Sequence, residues 1–334
     1  MKKNNVFKLM LLTGTMFSCG GNSTSTSSSK ESSSVSESQI SEISSSSSSS
    51  VDYGTVKFND IYVYDNDYDH VTIRPIFSNE DLGSKEIFEY EVMNESICYI
   101  EDNQVIYLSE GMTKVIAKSE HLNGTFVVHA KKNYDFISKA NQHHKRVGNS
   151  YNDGDTLFLG DSFFEFWQNG TGISKTFNEV FADYKVFNIG ISATTTHDWR
   201  AMNYKIVSLT SPKNIVVNIG INNVDDDHEI GVQCANNIKM MLMDYLEEFP
   251  QTNIYYLSIT KCSGVFANNW SNHEKSNALI KDYCQDNNRL FYLDVMALYG
   301  DDVSKYQQDG LHPNQAGYDL FEKIIKDNVP LESK

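Results

Sequence analysis

Past its first seventeen residues the chain has no apolar run approaching the roughly 20 residues that a membrane-spanning helix needs. It is also short of positive charge. Its 28 Lys and Arg stand against 44 Asp and Glu, for a formal net charge of −16. That balance excludes electrostatic attachment to nucleic acid or to anionic lipid, so no nucleic-acid partner is expected. Cysteine is sparse too: five in 334 residues, with no CxxC pair and no clustering with His. Metal-type spacing is therefore absent, and neither a metal nor a cofactor is expected.

What is present divides by composition. Length alone suggests about two domains. Met1-Lys2-Lys3 opens a basic segment, and Leu9 to Phe17 is apolar. This is the pattern of an export signal, too short to be a spanning helix. The following Ser18-Cys19-Gly20-Gly21 resembles the lipobox of bacterial lipoproteins, with Met16 and Phe17 in place of the commoner Leu and small residue. The resemblance implies lipidation of Cys19 and an outward-facing membrane lipoprotein; an ordinary signal peptide cut nearby is the alternative. Residues 20–50 are mostly Ser, a composition that buries too little apolar surface to offset chain entropy and predicts a flexible tether. With Cys19 assigned to lipid, Cys98, Cys234, Cys262 and Cys284 are expected as buried free thiols, although an exported chain permits a disulfide.

From residue 51 to 133 short alternating runs take over, among them Thr55–Phe58, His70–Ile76, Gln104–Leu108, Thr113–Ala117 and Thr125–Ala130, with a turn signal at Asn123-Gly124. Strands at this spacing predict a small all-β sandwich. The stretch from Tyr90-Glu91-Val92 through Ser96-Ile97-Cys98 and Gln104-Val105-Ile106 to Gly111-Met112-Thr113-Lys114-Val115 resembles bacterial Ig-like group 2 domains. Such a domain could be a spacer or could contact cell-wall polymer, and for a lone module the spacer is the better reading. Asp65-Asn66-Asp67-Tyr68-Asp69 begins like a calcium loop, but His70 and Ile76 stand where that loop needs Gly and Glu, leaving an exposed acidic turn.

Residues 134–334 read differently. After a helical lead-in at 134–144, strands are predicted at 156–160, 185–189, 214–219, 253–259 and 290–294. Helices are predicted at 197–209, 228–248, 271–287 and 314–328. Alternation of this kind predicts a parallel sheet with helices on both faces, and five strands suggest the flavodoxin-like order. Thr156-Leu157-Phe158-Leu159 ends in Gly160-Asp161-Ser162, which places a Ser beyond the carboxyl end of a strand, where open α/β sheets hold reactive groups. Far downstream, Asp309-Gly310-Leu311-His312-Pro313 puts an acid three residues before a His. A Ser hydroxyl needs an imidazole to take its proton, and the imidazole needs an acid to hold its tautomer. Ser162, Asp309 and His312 therefore make a candidate catalytic triad.

Two further pieces lie between them: Val186-Phe187-Asn188-Ile189-Gly190-Ile191-Ser192 and Ile215-Val216-Val217-Asn218-Ile219-Gly220-Ile221-Asn222-Asn223. With these the stretch 135–330 resembles the SGNH (GDSL-like) hydrolase family, whose marker Ser, Gly, Asn and His would be Ser162, Gly190, Asn222 and His312. The resemblance implies an acyl-enzyme esterase with an oxyanion hole made by the backbone N–H groups of Ser162 and Gly190 and the side chain of Asn222. Asn223 departs from the Asp common at that position. Structural roles compete at each residue. Ser162 could cap the following helix with Glu165 completing a capping box. His312 could cap the helix after Pro313. Gly190 and Asn222 could be turn residues, His197-Asp198 a structural pair, and Asp225 to Glu229 a solvated loop. Trp270 and Phe266 are candidates for substrate contact.

The expected activity is hydrolysis of short acyl esters, acetyl first, on carbohydrate. The carbohydrate follows from the family resemblance and the expected surface location. A lysophospholipase or thioesterase would need an apolar groove or lid, and no long apolar insertion is present. A surface adhesion protein on a relic hydrolase fold would not need Ser162, Asn222, Asp309 and His312 together.

Overall fold

The apolar runs that end in Gly or Asn become parallel strands whose carboxyl ends share one edge. The computed structural model describes residues 51–65, 70–132, 134–203 and 205–334. The signal-like segment with Cys19, the Ser-rich tract to residue 50 and residues 66–69 of the acidic turn lie outside the described residues.

The N-terminal region carries strands β1 (Val56–Lys57), β2 (Ile61–Tyr64), β3 (His70–Thr72), β4 (Ile76–Phe77), β5 (Glu89–Val92), β6 (Cys98–Glu101), β7 (Gln104–Tyr107), β8 (Gly111–Lys118) and β9 (Asn123–Lys131), with one short helix, α1 (Glu80–Gly83). They form a four-stranded sheet in the order β2-β9-β8-β5, a three-stranded sheet β3-β7-β6 and the pair β1-β4. Alternate residues of β8 and β9 face inward, and Val115, Ala117, Phe126 and Val128 are buried with Val71, Val105 and Cys98 of the other sheet. Apolar alternation at period two is what makes such a two-sided arrangement stable. The expected turn at Asn123-Gly124 is the start of β9 instead, because Lys118 pairs with Asn123 and the chain reverses over residues 119–122. Gly124 serves close approach: a Cβ there would come within 2.8 Å of the Phe58 ring.

The rest of the chain runs α2 (Tyr134–Ser150), β10 (Thr156–Gly160), α3 (Ser162–Asn169), α4 (Phe177–Val180), β11 (Val186–Asn188), α5 (Thr196–Ala201), β12 (Asn214–Asn218), α6 (Ile221–Asp225), α7 (Gly231–Glu248), β13 (Asn253–Leu257), α8 (Trp270–Gln285), β14 (Leu290–Leu293), α9 (Val295–Tyr299) and α10 (Gln315–Asn328). The sheet is parallel throughout, in the order β11-β10-β12-β13-β14. This is the five-stranded doubly wound order with its switch between β10 and β12. Every residue of β10 and β12 is buried, so their sequences run continuously apolar where a half-exposed strand would alternate. Two expected helices differ. The one at 197–209 stops at Ala201, with a separate 3₁₀ turn at Val207–Leu209. The one at 228–248 begins at Gly231, and the chain before it forms the separate α6.

Residues 51–334 hold together as one unit. Arg74 and Arg200 share Asp244, with Nε–Oδ distances of 2.6 and 2.7 Å, and Arg200 also donates to the Thr72 carbonyl at 2.7 Å. Tyr64 donates its hydroxyl to the buried Asp198 at 2.5 Å. These bonds join the strands of the N-terminal region to α5 and α7.

Candidate active site

At the carboxyl end of β10 the chain turns directly into α3. Asp161, not Ser162, caps that helix, its Oδ1 accepting from the Phe163 N–H at 3.0 Å. Glu165, expected to close a capping box, instead accepts from the Ser192 N–H and lies 3.6 Å from Lys139. Ser162 is thus released from the capping role and its hydroxyl is free for another partner. That partner is His312, whose Nε2 lies 2.9 Å from Ser162 Oγ. His312 Nδ1 lies 2.6 Å from Asp309 Oδ2. The capping role proposed for His312 falls to Asn314, which accepts from the Gly317 N–H at 3.2 Å.

The loop before α10 is arranged to hold this geometry. Asp309 Oδ1 accepts from the N–H groups of Leu311 and His312 at 2.9 and 3.0 Å, which leaves Oδ2 for the imidazole. Burial opposes ionisation of Asp309, but the bonds from His312 and the two backbone N–H groups outweigh it and hold the carboxyl below its ordinary range. An ionised Asp309 only accepts, so Nδ1 must carry the proton and Nε2 is left as the acceptor facing Ser162. On its other side the imidazole stacks on Phe166, with centroids 4.2 Å apart. Phe166 lies one helical turn after Ser162, so one helix presents both the hydroxyl and the ring that backs its base. Tyr318 ties α10 to α3 by donating its hydroxyl to the Phe163 carbonyl at 2.6 Å.

Asp161 differs from Asp309. It is 1% exposed, its Oδ2 has no partner, and burial raises its carboxyl to about 7 against the pull of the Phe163 N–H.

The Gly190 and Asn222 segments reach the same edge. Asn222 is the second residue of α6, and its amide donates to the Thr194 carbonyl at 2.9 Å. Asn223 answers for its departure from Asp: its Oδ1 accepts from the Thr196 N–H at 3.1 Å and its Nδ2 donates to Thr196 Oγ1 at 2.8 Å. A carboxylate could not donate the second bond. Gly190 is placed otherwise than expected of an oxyanion donor, because its N–H donates to Asn188 Oδ1 at 2.8 Å. Asn188 in turn donates to the Phe164 carbonyl at 3.0 Å, pinning the end of β11 to α3. Gly190 is required by that approach, since a Cβ would stand 2.6 Å from the Cβ of Phe164. Ala193, three residues on, adopts φ 61, in the left-handed region that side chains avoid. No protein acceptor takes the N–H of Ala193 or of Ser162 among the described residues. A positive-φ Ala is invisible to sequence patterns, which look for Gly at such positions.

Of the aromatic candidates, Trp270 lines an open depression of about 480 Å³ with Lys261, Glu274, Lys281, Asp294 and Asp301. Phe266 is partly buried against the core. None of the residues lining the depression belongs to the 309–312 loop; Lys261 lines it, and two residues later the Ser263 N–H donates to the Gly310 carbonyl at 2.8 Å. Cys98, Cys234, Cys262 and Cys284 are free and buried. No helix among the described residues is long and apolar enough to cross a membrane.

Residues 158–320 match the GDSL-like lipase/acylhydrolase family. This part of the chain is a GDSL-like acylhydrolase domain. The protein is an ester-hydrolysing enzyme. Solved structures similar to it include a GDSL-like lipase from Bacteroides thetaiotaomicron, 19% identical with a TM-score of 0.47, covering 57% of this chain and 97% of that one. A carbohydrate esterase family 3 protein from Talaromyces cellulolyticus is 17% identical with a TM-score of 0.45, covering 53% and 96%. A mutant of an acetyl-xylooligosaccharide esterase from Geobacillus Stearmophilus is 17% identical with a TM-score of 0.43, covering 55% and 97%. No curated protein matches the chain significantly.

Proposed function

We propose that this GDSL-like domain removes short acyl groups, acetyl foremost, from carbohydrate by a Ser-His-Asp acyl-enzyme mechanism. The observation that carries the mechanism is the unbroken line Asp309–His312–Ser162, at 2.6 and 2.9 Å. Ser162 Oγ attacks the ester carbonyl while His312 Nε2 takes its proton. Asp309 holds the imidazole tautomer and stabilises the imidazolium. His312 then returns the proton to the leaving alcohol, and in the second half it activates the water that frees Ser162. Developing charge on the carbonyl oxygen needs donors already in place, each worth about 3 kcal/mol. Ser162 N–H and Asn222 Nδ2 supply two. With Gly190 engaged by Asn188, the third comes from the free N–H of Ala193.

A polar acceptor alcohol over a lipid is supported by the charged lining of the depression, which the 309–312 loop meets through the segment from Lys261 to Ser263. Its Lys, Glu and Asp rim suits hydroxyl-rich ligands, and Trp270 offers a face for a sugar ring. Lipidation of Cys19, with export and outward display, completes the proposal and rests on the sequence alone. Turnover of p-nitrophenyl esters of increasing chain length, followed by acetate release from acetylated oligosaccharides, tests the specificity. Falling kcat/KM beyond acetyl and butyryl, with acetate released from the sugar, supports it; rising kcat/KM toward long chains overturns it.

A further inference from the structure

Outside the triad, the densest cluster of ligand-type side chains in the described residues lies where the strands of the N-terminal region meet α5. His197 is the second residue of α5, and Asp227 and Glu229 lie between α6 and α7. One donor atom from each falls within 4.8 Å of the others. Read from sequence, these residues belonged to a structural His–Asp pair and a solvated acidic loop. Their surroundings say otherwise for Glu229. Its side chain is only 10% exposed. Its Oε1 accepts from His197 Nε2 and from Asn237 Nδ2, both at 2.7 Å. Its Oε2 is buried and has no partner. A buried carboxylate oxygen without a donor is costly, and such an orphan needs a compensating ligand.

The space for that ligand exists. A polar cleft of about 320 Å³ is lined by Asn59, Asp60, Tyr62, His197, Asp227 and Glu229, and it opens to solvent on the Asp227 side. The Tyr62 ring of β2 stacks on His197 with centroids 4.1 Å apart, so the imidazole is held in orientation from the N-terminal side. One imidazole and two carboxylates form the donor set of a first-row divalent ion such as Zn²⁺. All-oxygen cages are what Ca²⁺ and Mg²⁺ prefer.

We propose that His197, Asp227 and Glu229 bind one divalent transition-metal cation, Zn²⁺ by ligand chemistry, in the cleft between β2 and the loop following α6. The cation displaces the proton held between His197 Nε2 and Glu229 and binds Glu229 through Oε2, the atom without a partner. A fourth position, on the open side, is left for water. The site is structural. The Glu229 N–H donates to the Asn223 carbonyl at 3.0 Å, so the ion ties α5, whose His197 carries the Tyr62 ring, to the segment that carries Asn222. It takes no part in the acyl-transfer steps, and the proposal stands independently of them.

The test is isothermal titration of Zn²⁺ into the full chain after chelator treatment, with the thermal midpoint read in parallel. Wild type should take up one equivalent and melt higher with the ion. Asp227→Asn, His197→Gln and Glu229→Gln should each bind at least about tenfold more weakly. Asp227 is exposed, so its variant keeps the proposal testable if the two buried changes prevent folding. No uptake by wild type, or uptake by Asp227→Asn as tight as by wild type, overturns it. The second result would assign the zinc to other groups of the chain.

Discussion

Two aspartates beside one serine show how local bonding divides chemically identical groups. Asp309 accepts three hydrogen bonds and stays ionised, whereas Asp161 has one donor, no exposure and a raised pKa. Asp309→Asn keeps an oxygen for the Leu311 and His312 N–H groups, so the loop should survive. The amide can also present N–H to Nδ1, which favours the wrong imidazole tautomer. We expect kcat to fall about 10²- to 10⁴-fold with KM little changed; a loss confined to KM would assign Asp309 to binding. For Asp161 the sign follows from its direction of shift. Its native pKa lies above its unfolded one, so its contribution is full at acid pH and is lost as pH rises through about 7. Asp161→Asn keeps the acceptor for Phe163 and removes the titration. Urea midpoints measured from pH 4 to 8 should fall less in the variant than in wild type, and parallel slopes would contradict this.

At the scale of elements, the bonds between β3, α5 and α7 converge on Asp244, which is 9% exposed and faces both Arg74 and Arg200. Asp244→Ala leaves two guanidinium groups without their shared partner. Removal of one member of a buried ion pair costs about 3–5 kcal/mol, although Arg74 keeps its bidentate bond to the exposed Glu247. We expect a loss toward the lower end of that range by urea unfolding; a variant as stable as wild type would show the network to be dispensable. The strands of the parallel sheet were legible because Leu157-Phe158-Leu159 and Ile215-Val216-Val217 are buried on both faces and leave no ambiguity of period. Helix ends were less legible. The chain between Asn222 and Gly231 turns through His228 at φ 58, a conformation that its run of acids does not signal. Ser162, Asp309 and His312 were legible because each sits at a strand end or in a loop with the chemistry its neighbours require. The engagement of Gly190 by Asn188 was not, since it depends on how closely β11 approaches α3. Phe166 was hidden for a similar reason: only the fold of the distant 309–312 loop brings His312 onto its ring.

For the whole molecule, residues 51–334 act as one unit, with bonds between its regions at Tyr64–Asp198 and at Asp244. The proposed lipid at Cys19 lies outside that unit. Cys19→Ser should therefore move the protein out of the membrane fraction without changing turnover of soluble esters, because several acyl chains on one residue anchor stably and none does not. An unchanged distribution would remove the tether from the account and leave the chemistry intact. The chemistry itself depends on one hydroxyl. The rate of p-nitrophenyl acetate hydrolysis by Ser162→Ala, measured beside wild type, tests it most directly. The account predicts a fall in kcat of at least about 10³-fold, since nucleophile and base act as a unit; a kcat equal to that of wild type would contradict it.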